Sequence, residues 1–433
     1  MTFDASGPLS GTARVPGDKS ISHRALMLSA MARGRSRIHG LSEGADVAST
    51  AAALAAMGAR IERDADGVRI VDGVGTGCLL QPETALDMGN SGTSARLLAG
   101  LIASHPIQAT LTGDASLSRR PMGRVIEPLS RIGAEFIAAP GGRLPLTIRG
   151  ICPAVPREHR LRVASAQVKS ALLLAGLNTP GRTRVIEPVP TRDHSERMLK
   201  RFGAAIRVTR DGNDTIIDLD GEAELIPQDL IVPGDPSAAA FLVTAALIVP
   251  GSEVRLEGIG INPLRVGYFD VLKAMGADLE VANEREEAGE PVGDLVARHS
   301  PLSGVDVPPE AAAGMIDEFP IFFVAAAFAR GASRASGLEE LRVKESDRIA
   351  VMAEGLEAIG ARLEEQADGM ILHGSGGAPL AGGATIAARL DHRIAMSFAV
   401  AALACRNPII IDDMAPVDTS FPGFAAALAG LAA

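Results

Sequence analysis

Aromatic residues are scarce in this chain of 433 residues. They make up 3% of it, with no Trp and a single Tyr, Tyr268. Proteins that stack bases or sugar rings depend on aromatic side chains, so the composition disfavours such binding. Positive charge is also in deficit, since 42 Lys and Arg face 52 Asp and Glu and the formal net charge is −10. This balance argues against nucleic acid or an anionic membrane as the main partner, although it is compatible with a local cationic pocket.

Cysteine and long apolar runs are rare as well. The three cysteines, Cys78, Cys152 and Cys405, show no CxxC spacing and cannot all pair within one chain, which is typical of a reducing compartment. The first twenty residues hold no apolar run, so we expect no secretory signal peptide. The longest apolar stretch, residues 238–249, is far shorter than the ~20 residues that span a bilayer. We therefore expect a cytoplasmic protein.

What the chain does contain is a repeat. An apolar residue followed by Gly-Ala and a strand-like run occurs five times, with successive glycines 75, 70, 73 and 84 residues apart. Each copy predicts an amphipathic helix that ends at a glycine C-cap and leads into a strand. A weaker sixth copy is predicted at Ala429-Gly430-Leu431. The five glycines are Gly58, Gly133, Gly203, Gly276 and Gly360.

A second pattern has the same period. Six Ala-rich apolar segments each begin with polar residues, whose first positions are 72, 75, 70, 82 and 74 residues apart. The segments are apolar on nearly every side, so each predicts a buried helix. The six openings are Asp18-Lys19-Ser20, Asn90-Ser91-Gly92, Ser165-Ala166-Gln167, Asp235-Pro236-Ser237, Asp317-Glu318-Phe319 and Asp391-His392-Arg393.

The two patterns together predict an α/β fold built from six repeats of helix, strand, loop, helix and strands. Joints rich in Gly and Pro at Pro16-Gly17 and Pro233-Gly234 enclose three repeats and leave three outside. We therefore predict two similar three-repeat domains, residues 19–233 and residues 1–18 with 234–433, joined by two hinge crossings. A hinge of this kind places a ligand cleft between the domains.

The predicted helix starts favour anion binding. Helix N-termini carry unsatisfied N–H groups and a partial positive charge, and several cations lie near them or in the loops that follow. Two carboxylates, Asp317 and Glu345, stand among these cations and are candidates for acid–base catalysis. The cations are Lys19, Arg24, Arg119, Arg120, Arg192, Lys344, Arg348 and Arg393.

Simpler interpretations remain open for each motif alone. Ser, Asp or Asn before an apolar helix most often serves only as a cap. The charged run at 342–348 is more often a solvated helix start than a site. Asp193-His194-Ser195 is no evidence for a catalytic triad, because triads assemble in space rather than in sequence. The eight histidines show no metal-ligand spacing, and no phosphate-binding glycine loop is present.

Nine segments in register resemble the 5-enolpyruvylshikimate-3-phosphate synthase family, from about Pro8 to Phe424. The resemblance implies a two-domain inside-out α/β barrel of six repeated units, which agrees with the repeat count. The segments are GDKSISHRAL, GNSGTSARLL, GDASLSRRPMGRVIEPL, ASAQVKSALLLAGL, TRDH, PGDPSAAAF, MIDEFPI, LRVKESDRI and LDHRIAMSF.

The resemblance implies transfer of the enolpyruvyl group of phosphoenolpyruvate to the 5-hydroxyl of shikimate 3-phosphate, with release of phosphate and no metal or organic cofactor. Both substrates are polyanions, which suits a site rich in fixed cations. By similarity, shikimate 3-phosphate would be bound by Lys19, Ser20, Arg24, Ser165, Ala166 through its backbone, Gln167 and Arg192. Phosphoenolpyruvate would be bound by Lys19, Gly92, Arg120, Gln167, Arg348 and Arg393.

The family also implies the catalytic groups. Asp317 would accept the proton of the 5-hydroxyl, with Lys344 beside it on the substrate. Either Glu345 or Lys19 would protonate the methylene carbon of phosphoenolpyruvate, and the residues alone do not decide between them. We expect a monomer with no nucleic-acid or membrane partner.

Three positions depart from the common family pattern. Ala166, Glu340 and Thr419 stand where many members have Ser, Asn and Lys, so the chain resembles a divergent branch. Herbicide-tolerant members of that branch typically carry Ala where this chain has Gly92. We therefore predict that Gly92 leaves room for glyphosate, which would compete with phosphoenolpyruvate.

Two alternatives remain at this point. One is an enolpyruvyl transferase acting on UDP-N-acetylglucosamine, which has the same architecture but typically uses a loop Cys; residues 113–123 contain none. The other is a non-catalytic six-repeat ring, which would need a broad basic inner surface to bind nucleic acid. The cations here are confined to particular loops.

Overall fold

The computed structural model describes residues 1–432. Its α-helices, in chain order, are α1 (Lys19–Met31), α2 (Ala45–Ala56), α3 (Gly92–Ala103), α4 (Gly123–Ser130), α5 (Ala166–Gly176), α6 (His194–Arg201), α7 (Pro236–Ile248), α8 (Gly267–Ala274), α9 (Ala312–Met315), α10 (Phe319–Phe328), α11 (Arg348–Ala358), α12 (His392–Ala402) and α13 (Phe424–Leu431). Short 3-10 helices lie at Leu117–Arg119, Pro309–Ala311, Glu339–Val343 and Ala415–Thr419.

The strands are short, and most belong to small four-stranded sheets. In chain order they are β1 (Thr2–Phe3), β2 (Ser10–Ala13), β3 (Arg33–His39), β4 (Arg60–Arg63), β5 (Arg69–Val74), β6 (Leu86–Asp87), β7 (Gln108–Thr112), β8 (Glu135–Ala139), β9 (Arg143–Arg149), β10 (Glu158–Arg160), β11 (Arg182–Glu187), β12 (Ile206–Asp211), β13 (Asp214–Asp220), β14 (Asp229–Ile231), β15 (Glu253–Gly260), β16 (Asp278–Glu287), β17 (Glu290–Arg298), β18 (Asp306–Val307), β19 (Ala332–Ala335), β20 (Arg362–Gln366), β21 (Gly369–His373), β22 (Leu380–Gly382), β23 (Thr385–Ile386), β24 (Cys405–Asn407) and β25 (Ile409–Ile411).

Five sheets share one topology, which is the structural form of the repeat. In each, an edge strand runs parallel to its neighbour, and an antiparallel hairpin completes the sheet. Their orders are β14-β3-β5-β4, β6-β7-β9-β8, β10-β11-β13-β12, β2-β15-β17-β16 and β18-β19-β21-β20. The sixth repeat departs from this pattern, because its strands divide between β22-β24 and β1-β25-β23.

Two edge strands come from distant parts of the chain. β2 runs parallel to β15, with Ser10 opposite Glu253. β14 runs parallel to β3, with Asp229 opposite Arg37. The strand before the first buried helix therefore completes the fourth repeat, and the strand after the third repeat completes the first.

The six apolar segments form helices that begin at the predicted openings. Every residue of α7 and of α10 is buried, as their apolar character on all sides requires. Small residues let the helices approach closely: a Cβ added to Gly100 on α3 would lie 2.1 Å from the carbonyl oxygen of Ala171 on α5. These helices lie inside, and strands such as β3, β9 and β19 alternate buried and more exposed residues.

The Gly-Ala signature marks helix ends at five positions. The five predicted glycines all have positive φ, between 89° and 109°, and each follows α2, α4, α6, α8 or α11 by two or three residues. This is the left-handed conformation that a glycine C-cap supplies at little steric cost. The predicted sixth copy was wrong, because Gly430 lies within α13 rather than after its end.

The chain divides into two compact units. Unit A comprises Gly17–Val232 and Glu287–Glu290, and unit B comprises Met1–Pro16, Pro233–Glu286 and the chain from Pro291 onward. Each has its own apolar core around its buried helices. The boundaries predicted at 19 and 233 differ from these by one or two residues, and nothing in the sequence indicated that Glu287–Glu290 belongs with unit A.

Candidate active site

The polar residues that open the buried helices do act as caps. The side chains of Asp18, Ser91, Ser165, Asp235 and Asp391 each accept a hydrogen bond from a backbone N–H in the first helical turn. The exception is α10, whose N-cap residue, Glu318, makes no such bond. The simpler interpretation, a helix cap, is therefore right for these five residues, and among them only Ser165 is also a candidate for binding substrate.

Lys19 in unit A faces a carboxylate. Its Nζ lies 3.0 Å from Oδ2 of Asp46, and the side chains are 19% and 11% exposed. Asp46 stands in the first turn of α2. It was not among the predicted residues, because only the tertiary packing of α2 against α1 brings it there.

Arg24 is a buried cation with uncharged hydrogen-bond partners. Its Nε donates to Ser195 Oγ at 2.8 Å, its Nη2 to Ser170 Oγ at 2.5 Å, and its Nη1 to the carbonyl oxygen of Ser20 at 2.8 Å. Burial lowers the pKa of Arg24 to about 10, and the positive charge of Arg192 acts in the same direction, against Glu196 and Asp18. Arg24 and Arg192 are close enough for the positive charge of one to affect the pKa of the other, and two serine hydroxyl groups lie beside Arg24. This arrangement suits an anionic ligand.

The starts of α3 and α5 are joined by an arginine that the sequence analysis missed. Arg96 Nη1 donates to the carbonyl oxygen of Gly92 at 3.3 Å and to Gln167 Oε1 at 3.2 Å. Gln167 Nε2 in turn donates to Thr93 Oγ1 at 3.0 Å. Arg96 was not predicted, because it lies within a segment that is apolar on nearly every side; its position four residues after Gly92 was the available signal.

Arg119 and Arg120 are adjacent in sequence but differ in burial. Arg119 is exposed. Arg120 is 8% exposed, and its Nη2 donates to Asn90 Oδ1 at 2.6 Å and to Ser116 Oγ at 3.2 Å. Only Arg120 therefore stands at the start of α3, where a Cβ added to Gly92 would lie 3.3 Å from its Nη1.

In unit B, one buried guanidinium holds three carboxylates. Arg348 is 1% exposed; its Nε donates to Asp391 Oδ2 at 2.8 Å, and its Nη2 lies 2.7 Å from Glu345 Oε2. Its Nη1 lies 3.7 Å from Asp317 Oδ1. Burial alone would lower the pKa of Arg348, but the negative charges of Asp391, Glu345 and Asp317 outweigh it and raise that pKa above its usual value. The two predicted proton-transfer carboxylates thus share one cation.

Arg393 fixes the backbone at Asp317. Its Nη1 donates to the carbonyl oxygen of Asp317 at 2.7 Å and approaches Oε1 of Glu318 at 3.5 Å. Lys344 is half-buried and directly follows the 3-10 helix Glu339–Val343. The five predicted residues of unit B therefore come from the starts of α10, α11 and α12 and from the segment just before α11.

In the two remaining sequence motifs, residues 193–195 and residues 342–348, neighbouring side chains have different environments in the structure. Asp193, His194 and Ser195 have different partners, since His194 Nδ1 lies 2.7 Å from Glu290 Oε1 and Ser195 contacts Arg24. In the charged run at 342–348, Arg342 pairs with Asp347 at 2.9 Å, whereas Arg348 is buried.

Among the residues that the structure describes, no three His, Cys, Asp or Glu side chains are grouped so as to hold a metal ion. No helix within residues 1–432 has the length and hydropathy that crossing a membrane requires.

Comparison with known proteins supplies the family. Residues 3–428 match the family model of EPSP synthase (3-phosphoshikimate 1-carboxyvinyltransferase). The chain belongs to the EPSP synthase family. The 3-phosphoshikimate 1-carboxyvinyltransferase of Sphingopyxis alaskensis is 63% identical over 99% of this chain and 98% of its own length. That of Zymomonas mobilis is 62% identical over 96% of this chain and 93% of its own.

Solved structures agree with this assignment. The EPSP synthase of Acinetobacter baumannii is 44% identical, with a TM-score of 0.87 over 99% of this chain and 97% of that one. The enolpyruvyl transferase NikO of Streptomyces tendae is 20% identical with a TM-score of 0.80 over 99% and 96%, and it shares the fold. The predicted α/β fold with two-domain enolpyruvyl transferase architecture is confirmed, and so is the predicted family.

Two positions that depart from the common family pattern make local hydrogen bonds. Thr419 Oγ1 donates to the carbonyl oxygen of Pro416 at 2.7 Å and so stabilises its own 3-10 helix. Ala166 contributes its carbonyl oxygen, which accepts from Ser170 Oγ at 2.6 Å. Its methyl side chain cannot donate to a ligand, so any contact of Ala166 with substrate must use the backbone.

Proposed function

We propose that this chain transfers the enolpyruvyl group of phosphoenolpyruvate to the 5-hydroxyl of shikimate 3-phosphate and releases phosphate. This is the reaction of the EPSP synthase family, an enolpyruvyl transferase step of the shikimate pathway and aromatic amino acid biosynthesis, and the target of glyphosate. The observation that carries the proposal is the position of Arg348 between Asp317 and Glu345 in a chain that matches the family over residues 3–428.

Most of the contacts assigned to shikimate 3-phosphate come from unit A. Arg24 and Arg192 supply positive charge for its 3-phosphate, because the two guanidinium groups are near enough to repel one another. A bound dianion would relieve that repulsion. The other contacts assigned to this substrate are Lys19, Ser20, Ser165, the backbone of Ala166, and Gln167.

Phosphoenolpyruvate requires cations for its phosphate and its carboxylate. Arg120 in unit A, held by Asn90, and Arg348 and Arg393 in unit B meet this requirement. Gly92 offers backbone without a side chain beside Arg120, and Lys19 and Gln167 contact both substrates.

The chemistry needs one group to accept a proton and one to donate. Asp317 accepts the proton of the 5-hydroxyl, and Lys344 stands beside it on the substrate. Protonation of the methylene carbon of phosphoenolpyruvate builds positive character at C2, the 5-oxygen bonds to C2, and a tetrahedral intermediate results. The conjugate base of the proton donor then takes a proton back from the methyl carbon, and the bond between C2 and the phosphate oxygen breaks with its electron pair leaving on phosphate, which gives the enol ether and phosphate.

Glu345 and Lys19 are the two candidates for the donor. Each is paired with an opposite charge, Glu345 with Arg348 and Lys19 with Asp46. An anion bound to Arg348 competes for its Nη2, which leaves Glu345 able to take up a proton. Glu345 is therefore the donor that substrate binding favours, and Lys19 acts mainly in binding.

Phosphate release tests the proposed reaction. Purified protein is given shikimate 3-phosphate and phosphoenolpyruvate together, each alone, and phosphoenolpyruvate with UDP-N-acetylglucosamine. We expect release only with the first pair. Arg120→Ala should abolish it, whereas the exposed neighbour variant Arg119→Ala should retain it. Release only with the UDP-sugar would keep the fold and overturn the substrate, and no release with either pair would overturn the reaction.

We also propose that the protein acts as a monomer in the cytoplasm. All the residues assigned to the reaction come from one chain, so the mechanism needs no second copy. The three cysteines are free thiols, as suits a reducing compartment. Light scattering of the purified protein tests the first statement, because a stable dimer would contradict it, and cell fractionation tests the second.

A further inference from the structure

Unit A contains a buried charge that the proposed reaction does not use. Lys169, on α5, is fully buried, and its Nζ lies 2.9 Å from Glu187 Oε2 and 2.7 Å from Glu196 Oε1. It also donates to the carbonyl oxygen of Thr191 at 3.2 Å. The carboxylate side chains are only 2% and 6% exposed. An ammonium group and two carboxylates removed from water must be arranged to satisfy one another.

The three partners of Lys169 lie at the start, in the middle and at the end of one loop. Glu187 is the last residue of β11, Thr191 lies within the loop that follows, and Glu196 is in the first turn of α6. Thr191 Oγ1 donates to Glu187 Oε1, which ties the loop to its own starting point. Lys169 therefore holds the entry, the middle and the exit of the segment 187–196, and Arg192 is part of that segment.

The residue after Lys169 holds the same segment to a second cation. Ser170 Oγ lies 2.7 Å from Ser195 Oγ, and both hydroxyl groups accept from Arg24. Adjacent residues of α5 thus fasten the loop of Arg192 and the guanidinium of Arg24 to one helix. The start of that helix carries Ser165 and Gln167.

We propose that Lys169 is a positioning residue, which holds the loop carrying Arg192 in the conformation that receives the 3-phosphate of shikimate 3-phosphate. The inference rests on the proposed function, specifically on the role of Arg192. Lys169 acts through Arg192 and does not touch the substrate. A loop released from Lys169 keeps its arginine but samples conformations in which that arginine is away from the phosphate.

The test is a substitution that removes the ammonium group and keeps the length of the side chain. Lys169→Met should raise the KM for shikimate 3-phosphate about tenfold, with the KM for phosphoenolpyruvate and kcat changed less than about twofold. The matched control is Lys200→Met, an exposed position on α6, which should change neither KM. Thermal unfolding of each variant is measured in parallel.

A double-mutant cycle distinguishes positioning from a merely structural role. If Lys169 acts through Arg192, then Lys169→Met should add little to the KM for shikimate 3-phosphate in an Arg192→Ala background. Equal effects of Lys169→Met with and without Arg192, or a lower melting temperature with an unchanged KM, would overturn the inference. If Lys169→Met does not fold, Glu187→Gln loosens the same loop while keeping the lysine, and it should show the same selective rise in KM and the same dependence on Arg192.

Failure of the proposed function gives a different result. A wild-type protein that releases no phosphate from the two substrates would overturn the reaction itself. An active protein in which Arg192→Ala leaves the KM for shikimate 3-phosphate unchanged would retain the reaction and overturn both the role of Arg192 and that of Lys169.

Discussion

Nζ of Lys19 lies 3.0 Å from Oδ2 of Asp46, so the lysine assigned to both substrates is already paired in the free protein. The pair joins α1 to the first turn of α2 and fixes the direction in which Lys19 points. The pair adds Asp46 to the candidate site, although no sequence motif marked that residue.

Removing the charge of Asp46 should therefore misplace Lys19. We expect Asp46→Asn to lower kcat/KM by roughly 10- to 100-fold, because small displacements of a binding group weaken its contacts in the transition state. Steady-state kinetics with both substrates measure the effect. Asp66→Asn, at an exposed turn, serves as the control and should match the wild type. An Asp46→Asn variant as active as the control would show that Lys19 is positioned without its partner.

A methyl group at Gly92 should discriminate against glyphosate. A Cβ there would lie 2.7 Å from Nη1 of Arg96 and 3.3 Å from Nη1 of Arg120, so the guanidinium groups must shift. We expect Gly92→Ala to raise the inhibition constant of glyphosate more than the KM of phosphoenolpyruvate. Gly123→Ala, where an added Cβ meets nothing within 4 Å, is the matched control. Glyphosate inhibition that is identical in Gly92→Ala and wild type would refute this account of the inhibitor site.

The pair of Arg348 with Asp391 should contribute strongly to stability. Both side chains are almost completely buried, and removing Asp391 leaves the guanidinium group of Arg348 without its most deeply buried counterion. We expect Asp391→Asn to lower the free energy of unfolding by about 3 kcal/mol. Asn also caps helices, so the substitution tests the charge rather than the cap of α12. Urea denaturation measures it, with Asp72→Asn at the solvent-exposed pair with Arg35 as a control that should leave the midpoint unchanged. Equal midpoints for the two variants would contradict the prediction.

His159 on β10 should make unit A sensitive to acid. Burial lowers the pKa of its imidazole to about 4, and neither ring nitrogen has a hydrogen-bond partner among residues 1–432. An unfolded chain protonates histidine near 6.5, so the unfolded state binds more protons between these two values. The free energy of unfolding therefore falls as the pH drops through this window, by up to about 3 kcal/mol from this side chain.

The leucine variant isolates that contribution. Urea midpoints at pH 7 and pH 4.5 should differ less for His159→Leu than for the wild type, because the variant has no imidazole to protonate. Val208→Leu, at an exposed position on β12 of the same unit, changes no titratable group and should keep the full difference. The same pH dependence in His159→Leu and wild type would show that other groups are responsible.

The repeat made much of the fold predictable. Five glycines at helix ends and six apolar helices recur with nearly one period, and these local signals agree with the tertiary structure. The structure of the sixth repeat was not predicted by this pattern, because Gly430 lies inside α13 and the last strands divide between two small sheets. The position of Gly430 and the division of these strands depend on tertiary packing, about which a periodic sequence pattern contains no information.

The site was predictable in residue type but not in its connections. Arg24 was identified from its place near a helix start, and Arg120 and Arg348 from the loops that follow the apolar helices. Their partners Ser170, Asn90 and Asp391 were not predicted as such, because residues 30 to 146 positions apart meet only once the helices pack. Arg96 was missed for a different reason, since most of the residues that follow it in sequence are apolar and the segment was therefore predicted only as a buried helix.

The pairing of β2 with β15 has a consequence for synthesis on the ribosome. Residues 17–232 of unit A are complete in sequence before any of the later repeats exist, so we expect this unit to fold while translation continues. β2 emerges before unit A, yet its partner β15 begins at Glu253, so β2 must wait for more than two hundred further residues to be made. During that interval its strand has free hydrogen-bonding groups, and the nascent chain is the form of this protein most open to capture by a chaperone.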